Sequence, residues 1–224
     1  MKVAIVSGGT KGIGRAICEN LLHNGCKVYL TARNKDPHFV HKNLVQFEVD
    51  MSKKKAIKAI TDEILKQEEI IDILVNNVGV FIPGKLMEEP EGSFETQLDT
   101  NLASTYHLTR YTIEALKKST KPYIFNICST ASKTPYLSGG SYCVSKYAQL
   151  GLTHVLRQEL KSDNIKVSAI LPGATLTNSW SGTDLPKERF SDPESIAQLL
   201  WSAYTLPDST VIEEITLRPL SGDI

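Results

Sequence analysis

The 224-residue sequence carries no net charge: 25 Lys and Arg balance 25 Asp and Glu. Without a basic excess there is no general electrostatic grip on nucleic acid or an anionic membrane, so neither partner is expected. No apolar run approaches the ~20 residues that span a bilayer. The apolar stretch within Met1–Ser7 is too short for a signal peptide and meets glycines at once, which predicts a cytoplasmic protein. Cysteine is sparse. Cys18, Cys26, Cys128 and Cys143 show neither the paired spacing of a metal site nor a secreted disulfide framework, so they read as reduced thiols. His38 and His41 read as loop residues, and no metal site is expected. Repeats, low-complexity linkers and composition breaks are also missing, which suits one domain spanning residues 1–224.

What is present is a regular alternation. Short apolar runs at 3–7, 27–32, 44–49, 70–75, 123–128, 165–171 and 213–217 read as strands. Between most of them lie segments of helical period: one carries Ile13, Ile17 and Leu21 on one face, and another carries Ile57, Ile60 and Ile64. Longer helices are predicted over 94–118 and 141–161, and a last one over 193–204. Asn24-Gly25 and Lys121-Pro122 supply stops. Strands separated by helices imply right-handed crossovers and an α/β fold, a mostly parallel sheet with helices on both faces. The lysines at 53–55 read as a solvated helix start.

The first strand runs into Ser7-Gly8-Gly9-Thr10-Lys11-Gly12-Ile13-Gly14. Gly8, Gly12 and Gly14 follow a G-x-x-x-G-x-G spacing between a strand and a helix. That spacing offers backbone N–H groups and a helix N-terminus to a pyrophosphate, with no side chain to block close approach. It differs from the commoner G-x-G-x-x-G pattern. Further along come Asn76-Asn77-Val78-Gly79 after the fourth strand and Tyr142-Cys143-Val144-Ser145-Lys146 after the fifth. Positions i and i+4 share a helix face, so a phenol and an ammonium can reach one site. Alone, a Tyr-x-x-x-Lys pair is close to what chance supplies in a chain with eight tyrosines. Its force comes from order: glycine turn, Asn-Asn segment, then Ser129 thirteen residues before Tyr142.

Taken together, these motifs resemble the short-chain dehydrogenase/reductase family over about residues 3–175. The resemblance implies a Rossmann fold, a doubly wound seven-stranded sheet of order 3-2-1-4-5-6-7. It implies a catalytic set of Asn101, Ser129, Tyr142 and Lys146. Tyr142 donates a proton, Lys146 lowers the phenol pKa, Ser129 bonds the carbonyl oxygen, and Asn101 holds a relay water. It also implies a dinucleotide along Gly8, Thr10, Lys11, Gly12, Ile13 and Gly14, with Asp50 and Met51 at the adenine. Asn77, Val78 and Gly79 then lie along the cofactor with Tyr142 and Lys146, and Pro172, Gly173 and Thr175 beside the carboxamide. Val78 stands where the family usually has Ala, and Cys128 where it often has Ser.

Cofactor choice is read from the second strand, which ends Thr31-Ala32-Arg33-Asn34. Arg33 takes the place of the acidic residue that bonds the ribose 2′-hydroxyl of NAD. With Lys11 it puts two cations near one 2′-position, which fits a phosphate. NADP(H) is therefore expected over NAD(H), and hydride transfer to a carbonyl as the reaction. Ser129, Tyr136, Tyr142 and Trp180 are the expected substrate-side residues, with a substrate loop at about 176–191 whose Ser179-Trp180-Ser181-Gly182 suggests a mobile lid. The ending after Val211 resembles that of bacterial sepiapterin-reductase-related members, which suggests a sepiapterin-like or other small dicarbonyl. A 3-oxoacyl reductase is the alternative, and a non-catalytic NADPH-sensing protein is an alternative of another class. The resemblance also implies a homodimer or homotetramer.

Overall fold

The computed structural model describes residues 1–177, 180 and 182–222. Seven strands form one parallel sheet: β1 (Val3–Ser7), β2 (Lys27–Ala32), β3 (Leu44–Glu48), β4 (Ile73–Asn76), β5 (Tyr123–Ile127), β6 (Lys166–Pro172) and β7 (Glu214–Leu217). Their order is β3-β2-β1-β4-β5-β6-β7, the doubly wound order that the family resemblance implies. Six α-helices are described: α1 (Gly12–His23), α2 (Lys54–Gln67), α3 (Ser93–Leu98), α4 (Ser104–Lys117), α5 (Gly140–Leu160) and α6 (Pro193–Thr205).

The central strands are buried on both faces, which is why they read as continuous apolar runs rather than alternating ones. Alternate residues feed two cores. Val6, Leu30 and Phe125 pack with Ile17 and Leu21 of α1 and with Ile196 and Leu200 of α6. Ile5, Tyr29 and Leu74 pack with Ile57, Ile60 and Ile64 of α2, Leu108 of α4 and Leu160 of α5. The chain leaves β1 toward β2 and β3, then returns to place β4 on the other side of β1. Loops after β1 and β4 therefore diverge, and a crevice opens at the carboxyl ends of the strands, where ligands of such sheets bind.

Two details differ from the sequence reading. The fourth strand begins at Ile73 rather than Ile70. Ile70 is exposed, and the carboxylate of Asp72 accepts bonds from Val3 N at 2.8 Å and Ser119 Oγ at 2.6 Å, which fixes the strand entry. The helix expected over 94–118 is not one regular helix: a π-helical turn, Asp99–Ala103, joins α3 to α4. Such turns insert one residue into the helical repeat and occur often at functional sites. Asn101 lies in this one.

Candidate active site

The glycine turn is shaped by contact as well as by conformation. Gly8 has φ of +71°, and its N–H and that of Gly9 both donate to Thr31 O, at 2.8 and 3.1 Å. A Cβ on Gly14 would lie 2.1 Å from Gly8 O, so no side chain fits there. Asn77 locks the turn from β4: its amide donates to Ser7 O at 2.9 Å and Gly8 O at 3.0 Å. Ser7 Oγ accepts from Asn77 N and Val78 N in return. Helix α1 then starts behind Lys11 with no side-chain cap and no acidic residue in its first turn. An anion is the natural partner for such a start. Thr10, Gly12 and Ile13 are partly buried there, while Lys11 and Arg33 reach solvent.

Arg33 lies close enough to Asp50 for its charge to act on the carboxyl. The Asp50 carboxyl is held below its ordinary range, first by the hydrogen bond from Ser52 N at 2.9 Å, then by the charges of Lys53 and Arg33. Met51 is buried beside it. Asp36, the other acid after β2, is turned elsewhere. Arg15 grips it at 2.7 Å, and the same guanidinium lies 3.5 Å over the Phe39 ring. Nothing in the linear sequence announced this cluster, because its members pair across 21 and more residues.

Four side chains meet where β4, β5, the π turn and α5 converge. Ser129 N-caps a short 3₁₀ turn (Thr130–Ser132), its Oγ accepting from Ala131 N at 3.1 Å. The phenol of Tyr142, on the first turn of α5, lies near that hydroxyl. Burial pushes the phenol up, and the Ser129 hydroxyl opposes the shift. Lys146, one helical turn on, is only 4% exposed. Its Nζ donates to Ile127 O at 2.9 Å and Gln149 Oε1 at 2.8 Å, and lies 5.9 Å from the Tyr142 ring centroid. Burial lowers its pKa to about 8, with a small opposing effect from Cys128.

Asn101 is buried, and its side chain is fully used. Oδ1 accepts from Val80 N at 2.7 Å; Nδ2 donates to Val80 O at 3.0 Å and Ser145 Oγ at 2.8 Å. It pins the loop after β4 against α5, so a water held by Asn101 would have to meet its main-chain oxygen. Gly79 sits in that loop with Lys146 Nζ 3.6 Å from where its Cβ would be. Thr175, 4% exposed, bonds Gly173 O at 3.1 Å just past β6, and Gly173 N is tied to Leu217 O at 2.7 Å beside Pro172.

Beside Tyr142, Phe81 meets its ring edge-on at 5.0 Å and lies 6.4 Å from the ring of Tyr136, itself half-exposed. Trp180 instead packs edge-on against Phe190 at 5.0 Å. The serines expected to make this loop a lid, Ser179 and Ser181, lie outside the described residues. Two neighbours escaped the sequence reading. Glu89 joins the first turn of α5, accepting from Ser141 N at 2.7 Å and from Ser141 Oγ; 52 residues separate them, and no local pattern marks the pair. Gln149 was legible in principle, since it lies three residues after Lys146 on the same helix face. Among the described residues, no group of His, Cys, Asp and Glu could hold a metal ion, and no helix is long and apolar enough to cross a membrane.

The family model for short chain dehydrogenases matches residues 2–187, and the chain belongs to that family. Sepiapterin reductase of Chlorobaculum tepidum is 30% identical over 238 residues, covering 99% of this chain and 98% of that protein. Among solved structures, the alcohol dehydrogenase of the archaeon Thermococcus sibiricus, complexed with 5-hydroxy-NADP, matches with a TM-score of 0.90 and 26% identity, covering 98% of this chain and 97% of that one. A metagenomic short-chain oxidoreductase in complex with NADP matches with a TM-score of 0.82 and 28% identity, covering 97% and 96%.

Proposed function

We propose that the protein is an NADP(H)-dependent oxidoreductase that interconverts a carbonyl and an alcohol, with Tyr142 as proton donor. The observation that carries this reading is the meeting of the Ser129 hydroxyl and the Tyr142 phenol with Lys146, buried one turn away and 5.9 Å from the phenol ring centroid. A dinucleotide fits the crevice: a Cβ at Gly14 would fill the turn, and α1 starts uncapped behind it. Gly8, Thr10, Lys11, Gly12, Ile13 and Gly14 would hold its pyrophosphate. Asp50 and Met51 would flank the adenine, and Arg33 with Lys11 a 2′-phosphate. Asn77, Val78 and Gly79 would run beside it, and Pro172, Gly173 and Thr175 would meet the carboxamide. Two related structures hold NADP or a derivative of it, which supports the same cofactor here.

When bound, the nicotinamide supplies the hydride. The chain supplies everything else. Ser129 Oγ already accepts from Ala131 N, which leaves its proton free to meet a carbonyl oxygen. Tyr142 gives that oxygen its proton. A free phenol has a pKa of about 10, and burial raises this one further. The positive charge of Lys146 must offset both for the proton to move near neutral pH.

Phe81, Tyr136 and Tyr142 make an aromatic wall, while Trp180, on the loop after β6, packs on Phe190. These surfaces favour a flat substrate, and the sepiapterin reductase relative supports a pterin-like or small dicarbonyl compound. Tyr106 of α4 and Val144, Tyr147 and Val155 of α5 expose apolar surface, which supports pairing of copies as a homodimer or homotetramer. The test is oxidation of NADPH and of NADH with a panel of pterins, small dicarbonyls and 3-oxoacyl thioesters. The reading holds if a dicarbonyl or pterin is turned over faster with NADPH. Tight NADPH binding with no turnover on any substrate would overturn it in favour of a sensing protein.

A further inference from the structure

Lys146 is buried with no carboxylate beside it among the described residues. Its ammonium instead begins a line of hydrogen bonds that leads away from Tyr142. Nζ donates to Gln149 Oε1 at 2.8 Å, Gln149 Nε2 donates to Thr105 Oγ1 at 3.0 Å, and Thr105 Oγ1 donates to Asn101 O at 3.2 Å. Gln149 and Asn101 are fully buried, Thr105 is 1% exposed and Lys146 4%. The directions are forced. An ammonium can only donate, so Gln149 must turn its oxygen to Lys146 and its NH₂ to Thr105. The Thr105 hydroxyl, having accepted, has one proton left, and that proton points to the main-chain oxygen in the π turn. Every polar atom in the line is thereby used in a consistent sense, and a reversed amide would set NH₂ against ammonium.

We propose that Gln149, through Thr105 and Asn101, is a positioning residue that holds Lys146 protonated and aimed in the site. This rests on the catalytic reading above for its purpose, but not for its test. A neutral acceptor in a buried site favours the charged form of a lysine, and burial otherwise opposes it here. Among the described residues, the surroundings hold little else to do so. From β5 the Cys128 thiol faces Lys146, and from α5 itself the Tyr142 phenol. The π turn and α4 contribute neutral Asn101 and Thr105, and the loop after β4 contributes Gly79, which has no side chain. The Ile127 carbonyl is the other fixed acceptor.

The experiment follows the side-chain ¹⁵N resonance of Lys146 against pH in the cofactor-free, ¹⁵N-lysine-labelled full chain. Lys146→Met assigns the signal by its loss. Gln149→Met keeps the length and removes the acceptor; Gln149→Glu puts a carboxylate in its place. The titration midpoint is expected to fall by about one pH unit in Gln149→Met and to rise by about one unit in Gln149→Glu. Thr105→Val, close in shape, frees the Gln149 amide and is expected to lower the midpoint in the same direction. It serves if Gln149→Met does not fold. With a working substrate, the basic limb of the kcat profile should move with the midpoint while the carbonyl KM stays put. Coincident midpoints in the wild type and all folded variants would overturn the proposal. Failure of every carbonyl substrate would sink the catalytic reading alone and leave these midpoints readable.

Discussion

Glu89 accepts a hydrogen bond from Ser141 N at 2.7 Å, and so ties the loop after β4 to the first turn of α5. Gly140 makes the approach possible: a Cβ there would stand 2.1 Å from Glu89 Oε1. A carboxylate at a helix N-terminus satisfies orphan N–H groups and meets the positive end of the dipole. This helix carries Tyr142 and Lys146, and the tied loop carries Phe81. Glu89→Ala is therefore expected to cost about 1–2 kcal/mol of stability, read from urea denaturation. It is also expected to raise KM for the carbonyl as Phe81 loses its anchor. A variant with unchanged stability and KM would show that the tie does not matter.

Tyr142→Phe keeps the ring that Phe81 packs against and removes only the hydroxyl. Under the proposed chemistry, kcat should fall by about a thousandfold. NADPH affinity, measured by titration, should change little, because the phenol proton is needed for the carbonyl. Near-normal turnover in this variant would remove Tyr142 from the reaction.

The alternation of strands and helices and the position of the glycine turn were legible because each rests on contiguous residues and a fixed period, whereas the sheet order followed only from the family resemblance. The buried strands announced themselves as apolar runs. What escaped lies across the chain. The π turn at Asp99–Ala103 does not show in the hydrophobic spacing on either side of it. Ile70 looked like a strand residue until Asp72, bonded to Val3 and Ser119, set the entry three residues later. The same holds in the site. Spacing matched to the family resemblance pointed to Ser129 and Tyr142, but the commitment of the Asn101 side chain to Val80 and Ser145 depends on three elements meeting.

Under the proposed reading cofactor choice turns on Arg33 and Lys11, both exposed. Arg33→Asp restores an acid that can bond a ribose 2′-hydroxyl and that repels a 2′-phosphate. The expected result is a fall of about 10- to 100-fold in kcat/KM with NADPH and a rise with NADH. Asp50 should also lose part of the charge that holds its carboxyl low, since Arg33 is one of the causes. Unchanged cofactor preference would show that the 2′-position is read by other groups.

Lys146 also carries a stability cost that can be measured. Its pKa in the folded protein is about 8, against 10.5 for an ordinary lysine. Between those values the unfolded chain binds more protons than the folded one, so folding stability rises as pH climbs through this window. Below pH 8 both states are protonated, and the full burial penalty applies, roughly 3 kcal/mol. Lys146→Met removes the charge and most of the penalty, but leaves Ile127 O and Gln149 Oε1 without their donor, which returns part of the gain. The variant is expected to lose turnover and yet to unfold at higher urea than the wild type at pH 7. The gap should narrow as the pH approaches 10. A wild type whose urea midpoint stays level from pH 8 to 10, with a Met variant no more stable at pH 7, would mean that the buried ammonium is better compensated than its two neutral acceptors allow.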